Sequence, residues 1–382
     1  MDELANANTH FALDLFQKFN ESNSTGNIFF SPLSISIALA MVFLGTKGNT
    51  AAQLSKTFHF DDVEDLHSRF QALSTEINRS SAPYILKLAN SLYGEKTYTF
   101  LQDFLAGTQK FYRAELATVD FRYNSDNARK QINQWVKDQT EGKICDLLPE
   151  HSIDKCTKLV VVNAIYFRAD WAETFQDKFT MEMPFRLNMK EKKIVNMMFL
   201  KKKLPFGHIP ECRCHVLELP YKEKEFSMMI LLPDDIEDNS TGLEQLEKHL
   251  TLGKLLEWTH PAKMENTAVY VHLPKFKLEE SYNLKNDLPA LGLLDIFNSG
   301  KADLSGMSEA RNLYVSHIVH KSFIEVNEEG AEAAAATAVV ITTTCTSTHF
   351  MEEDFNADHP FLFFICHNPT RSVLFLGRFA SP

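Results

Sequence analysis

Apolar positions fall at helical spacing along the first third of the chain. Ala12, Leu15, Phe16 and Phe19 stand at i, i+3, i+4 and i+7, a stripe down one helix face. Ile35–Leu44 is apolar nearly all round, which predicts a buried helix. Thr50–Leu54 reads as a helix start, a polar cap followed by Ala-Ala-Gln-Leu. The rest of the chain changes period. Leu159–Phe167 is β-branched and aromatic with one Asn inside it, the pattern of a strand. Leu217–Tyr221 and Phe226–Leu232 read as two strands of a hairpin turned through Lys222–Glu225. Val269–Leu273 alternates and is ended by Pro274. Phe361–Ile365 and Val373–Leu376 are short apolar strands around a turn at His367–Arg371. Helices first and strands later predict an α+β fold with helices packed on antiparallel sheets.

Composition narrows the function classes. The chain has 382 residues, with 39 Lys and Arg against 50 Asp and Glu, for a net charge of −11. That balance opposes a general nucleic-acid binder, which needs cationic side chains to displace phosphate counterions. No stretch resembles a membrane span, and Met1-Asp2-Glu3-Leu4 opens no signal peptide, so a cytoplasmic protein is expected, with any release running by an unconventional route. Six cysteines are too few for a disulfide scaffold. No linker or repeat divides the chain, which predicts a single domain over residues 1–382.

Catalytic motifs are missing from the sequence: no nucleophile elbow, phosphate loop, zinc-protease pair or dinucleotide fingerprint occurs. Neither an enzyme nor a bound cofactor is expected. Cys212-Arg-Cys214-His215 is the one compact set of metal-ligand types, and it lacks a second pair at zinc-site distance. No metal site is expected, because free cysteines usually serve as small core hydrophobes. His317 and His320 stand three apart, so on a strand they face opposite sides. Lys190, Lys192 and Lys193 with Lys201–Lys203 read as a solvated basic loop rather than an anion site.

One segment fits no ordinary element. Residues 325–349 are long and rich in small side chains between apolar strands. Ala331 and Ala333–Ala336 favour a short, marginal helix, whereas Val339–Thr344 is β-branched and prefers strand. As a strand, Ala331, Ala333, Ala335 and Thr337 share one face, and Glu332, Ala334, Ala336 and Ala338 the other. The one charge lies on a single parity, so one face can be buried without burying charge. The segment is compatible with an exposed loop able to insert later as a strand.

These features, together with Asn27–Ile35, Asn163–Phe167, Ala302–Met307, Val319–Phe323, Val326–Thr337, Asp358–Phe364 and Leu376–Phe379, resemble the serpins, of the intracellular ovalbumin-like branch, over essentially the whole chain. The resemblance implies a fold of three β-sheets and about nine helices with an exposed reactive-centre loop at about 328–357. It implies a suicide inhibitor whose loop is cleaved by a target protease, traps it as an acyl-enzyme and inserts into the large sheet. Glu328, Glu329, Gly330, Ala331, Glu332, Ala333, Ala334, Ala335, Ala336 and Thr337 match the hinge. Ser31, Ser34, Asn163 and His320 match the polar cluster where the sheet parts, and Trp171 matches the tryptophan near its top. Counting from the hinge places the reactive bond at Thr344–Cys345; a shift of one makes it Cys345–Thr346.

Thr344 is small, and no Lys or Arg lies between Gly330 and Glu353. Both suit the small apolar pocket of an elastase-like serine protease, which is the expected partner. Papain-like cysteine proteases are an alternative target, and a non-inhibitory serpin a third reading. The molecule is expected to be a monomer with neither nucleic acid nor membrane as partner, and its acidity argues against a heparin-type activator and favours basic proteases.

Overall fold

The computed structural model describes residues 2–79, 82–330 and 352–382. Among them lie eight α-helices: α1 (Asp2–Ser22), α2 (Pro32–Phe43), α3 (Gly48–Thr57), α4 (Leu66–Ile77), α5 (Gln102–Tyr112), α6 (Phe121–Gln139), α7 (Glu244–His249) and α8 (Leu252–Trp258). The strands are β1 (Ile28–Phe30), β2 (Tyr84–Glu95), β3 (Leu116–Val119), β4 (Leu159–Ala169), β5 (Met181–Arg186), β6 (Lys192–Ile209), β7 (Cys214–Pro220), β8 (Phe226–Pro233), β9 (Glu265–Pro274), β10 (Phe276–Asn283), β11 (Val315–Val326), β12 (Glu352–Asn356), β13 (Phe361–His367) and β14 (Ser372–Phe379).

One sheet is five-stranded, in the order β10-β11-β4-β2-β3. A second network runs β1-β14-β13-β8-β7-β6-β9-β12, with β5 also on β6. The 18-residue β6 belongs to two arms of that network, one with β5, β9 and β12 and the other continuing through β7. With the arms counted separately there are the three expected sheets, in the α+β arrangement anticipated from the pattern.

Helix α2 is the centre of one core. Every residue from Pro32 to Val42 is buried, which is why its pattern is apolar all round. Ser31 starts it: its hydroxyl accepts the Ser34 amide at 3.2 Å, and Pro32 sits at the first turn where a missing N–H costs nothing. In α1, Ala12, Leu15, Phe16 and Phe19 are all buried, so the stripe packs as expected. Thr50 does not cap α3. The helix begins at Gly48, and the Thr50 hydroxyl accepts the Asp303 amide at 2.9 Å instead.

Strand β4 is buried on both faces, dividing its side chains between two cores. Leu159, Val161, Ile165 and Phe167 join α2's core, while Val160, Val162, Ala164 and Tyr166 meet Phe121, Ala128, Ile132 and Val136 of α6. The seam between β4 and β11 therefore lies between α2 on one side and α6 on the other.

The 217–232 hairpin is present as β7 and β8, with Glu223 and Lys224 in the left-handed region at its turn. The lysines expected in a solvated loop instead lie largely on a strand: β6 carries Lys192–Lys193 and Lys201–Lys203 at the sheet surface, with Lys201 paired to Glu352 at 2.8 Å and Lys202 to Glu173 at 2.7 Å. Among the described residues, no helix is long and apolar enough to cross a membrane.

Candidate functional site

The candidate site is the seam between β4 and β11, with the chain leaving β11 as its stem. The two strands are parallel neighbours in direct register, Val319 opposite Val162, His320 opposite Asn163 and Ser322 opposite Ile165. No strand separates them among the described residues.

Beneath the seam, four of the predicted residues converge. The Ser31 amide donates to His320 Nε2 at 3.0 Å. That leaves the proton on Nδ1, which donates to Asn163 Oδ1. Asn163 Nδ2 donates to the Ser34 carbonyl at 3.0 Å, and also reaches the Ser34 hydroxyl and Asn90 Oδ1. His320, Ser31 and Ser34 are wholly buried, and Asn163 is 1% exposed. Burial pushes the His320 imidazole down to about 3, so it stays neutral at physiological pH. Both ring nitrogens are occupied, so it has no free base for catalysis. One side of the cluster rests on β4 and β11 and the other on the start of α2, so the strands cannot part without exchanging these bonds. His317, on the opposite face as expected, meets Asn283 at 3.2 Å.

The stem lies further along the same seam. From Asn163 to Trp171 is eight residues, about 26 Å of strand. The Trp171 amide donates to the Glu329 carbonyl at 2.7 Å, and the Phe175 amide to the Glu328 carbonyl at 2.8 Å. The Trp171 indole donates to the Asn327 carbonyl at 3.0 Å, with its ring stacked on Tyr221 at 4.4 Å between centroids. Glu328 is 5% exposed, and its carboxylate accepts the Thr180 hydroxyl at 2.8 Å and pairs with Lys275 at 2.7 Å. Burial opposes its charge, but the Lys275 and Thr180 bonds outweigh that and hold the carboxyl below its ordinary range. Gly330 follows, bridged to Asp170, with φ at +144°. A Cβ there would lie 2.1 Å from the Ala169 carbonyl, so only glycine permits the chain to pass so close to β4's end.

The predicted residues thus form two groups: Ser31, Ser34, Asn163 and His320 under the middle of the seam, and Trp171 with Glu328, Glu329 and Gly330 at its end. Ala331, Glu332, Ala333, Ala334, Ala335, Ala336, Thr337, Thr344 and Cys345 lie outside the described residues. The chain resumes in β12, parallel to β9, where Glu352 meets Lys201 and the Tyr270 hydroxyl at 2.9 Å.

Several partners escaped the sequence reading. Asn90, Thr180, Lys275 and Tyr221 are ordinary residues in sequence, and only the fold brings them here. Cys212 and Cys214, considered above as metal ligands, are buried in the core, and burial pushes both thiols up from their ordinary value.

A family model described as serpin (serine protease inhibitor) matches residues 6–382. Leukocyte elastase inhibitors from horse and human are 63% and 62% identical over 382 residues, covering all of both chains. Among solved structures, uncleaved ovalbumin superposes with a TM-score of 0.90 at 37% identity over the whole of both chains, and a tumour-suppressing serpin with a TM-score of 0.90 at 38%, also over the whole of both.

Proposed function

The chain belongs to the serpin family, and from that membership we propose that it is a suicide inhibitor of elastase-like serine proteases whose loop, residues 328–357, is bait and trap together. The observation that carries the reading is the closed β4–β11 seam with the loop's stem fixed at its end. After Gly330 the chain can turn back, and a strand entering the seam runs antiparallel to both neighbours. At about 3.4 Å per residue, residues 331–344 reach about 48 Å, more than the about 36 Å of the 11-residue β4. The lost parallel ladder is replaced by two antiparallel ones, and a face of Ala and Thr is buried at little steric cost.

The chemistry of the trap follows from the order of steps. The target's serine attacks the Thr344 carbonyl, its proton passes to the amine of Cys345, and the peptide bond breaks with Thr344 held as an ester. Freed at that end, the loop inserts and carries the acylated protease along the seam before water reaches the ester. Residues 331–337 of the hinge must enter first, so the small side chains of Ala331, Ala333, Ala334, Ala335, Ala336 and Thr337 set whether insertion outruns hydrolysis. Ser31, Ser34, Asn163 and His320 control the parting of the strands in this account, and Trp171 the release of the stem. The five described cysteines are free, which suits the reducing cytoplasm proposed as its compartment, and the molecule acts as a monomer.

Incubation with an elastase-like protease followed by a denaturing gel tests the reading. An SDS-stable complex is expected, with release of a peptide beginning at Cys345. A clipped loop with no complex contradicts it, and a complex formed only with papain-like cathepsins transfers the target to the other protease class.

A further inference from the structure

Between α1 and the turn after α3, three metal-ligand side chains converge that the inhibitory mechanism does not use. His10 and Asp14 stand at i and i+4 on α1, hence side by side on one helix face. His59 comes from the turn after α3. One ligand atom from each of the three lies within 4.8 Å of the others. The His59 ring nitrogen Nε2 is 2.8 Å from Asp14 Oδ2, and the His10 and His59 rings are stacked with centroids 3.8 Å apart. His10 is exposed and the other two half-buried, so the cluster is open to solvent ions.

Both segments are held from below. Phe11 and Phe58, the neighbours of His10 and His59, are fully buried and stacked on each other at 4.2 Å. His59 itself has φ of +56°, and the Phe60 amide closes the turn onto the Ser55 carbonyl at 2.8 Å. Two imidazoles and a carboxylate on anchored backbones make the donor set of late first-row divalent cations, with zinc first.

We propose that His10, Asp14 and His59 form a divalent-metal site, of the zinc class, that staples α1 to the α3–α4 turn. The cation replaces the hydrogen bond between His59 and Asp14, the His59 proton moving to Nδ1 or to solvent. A small splaying of the two rings brings their nitrogens to the about 2.0–2.1 Å that zinc requires, and water completes the tetrahedron. Because the ligands come from two separate segments, the ion binds the folded chain and stabilises it by mass action.

Titration of the full chain with zinc chloride, followed by calorimetry, tests this, with cobalt(II) visible absorption reporting tetrahedral coordination. One equivalent is expected whose affinity falls roughly tenfold or more in His10→Ala and in His59→Asn, at or beyond the about 10–100-fold cost of losing an outer-shell partner. Asn tolerates the left-handed backbone at 59. His10 is exposed, so His10→Ala decides the matter alone if the other variant fails to fold. Both variants should still form the covalent protease complex. Full affinity retained in His10→Ala, or no saturable zinc binding by the unsubstituted chain at millimolar metal, overturns the proposal.

Discussion

Replacing Glu328 by alanine removes the one buried carboxylate in the stem while leaving the backbone bonds from Phe175 and Trp171 nominally available. The lost interactions are two. The Thr180 hydroxyl bond at 2.8 Å is to a charged group in a site 5% exposed, worth about 1.5–3 kcal/mol. The Lys275 pair at 2.7 Å has its lysine 40% exposed, so solvent screening limits it to about 0–1 kcal/mol. Together they amount to about 1.5–4 kcal/mol, or roughly 10–700-fold in the stem's opening equilibrium at about 1.4 kcal/mol per tenfold. Hydrogen exchange reads this locally, because the Phe175 and Trp171 amides are protected only while the Glu328 and Glu329 carbonyls stay in place. Their exchange should accelerate by that factor, while amides in β13 and β14 change little. Lys275→Ala should accelerate them less, by several-fold. Unchanged exchange at both amides in Glu328→Ala would refute the anchoring argument.

Further expectations concern the seam and the loop. His320 is depressed to about 3 in the folded chain against about 6.5 unfolded. Its contribution is therefore complete above pH 6.5 and lost as pH falls toward 3, at about 1.4 kcal/mol per unit. His320→Gln, which can still accept from Ser31 and donate to Asn163, should lose about 2 kcal/mol less between pH 7 and 5 in chemical unfolding; parallel curves contradict this. Gly330→Ala places a Cβ 2.1 Å from the Ala169 carbonyl and should destabilise by about 1–3 kcal/mol, read as a lower Tm, and an unchanged Tm counts against the close approach. Ala333→Arg should convert inhibitor into substrate, since insertion buries a charge; undiminished complex on a denaturing gel goes against insertion.

Periodicity made part of this fold legible. The α1 stripe, the all-apolar α2 and the β-branched β4 each bury the faces their spacing predicts, because each carries its own pattern within a dozen residues. Strand β2 escaped notice in the helical first third. Lys87 and Asn90 interrupt its apolar pattern, and pairing with β4, more than 60 residues on in sequence, settles it as strand. Strand β6 was hidden for a related reason: its lysines occupy a sheet surface where Glu352 and Glu173 offset them, and local polarity suggested a loop. The cluster at Asn163 was reached only through family resemblance, since His320 lies 157 residues away along the chain. Thr180 and Lys275 carry no sequence signal, because a lone threonine and lysine gain meaning only from the carboxylate they hold. His10 and Asp14 attract no notice in sequence, and the third ligand stands 45 residues beyond Asp14 with nothing local to connect it.

If the β4–β11 seam accepts the loop as a new strand, cleaving the loop must stabilise the fold. Thermal unfolding of the intact chain and of the chain nicked within residues 342–346 tests it without reference to any particular target. A large rise in Tm is expected after cleavage, as the freed strand fills the seam and completes the ladder. Equal melting temperatures before and after cleavage would contradict it.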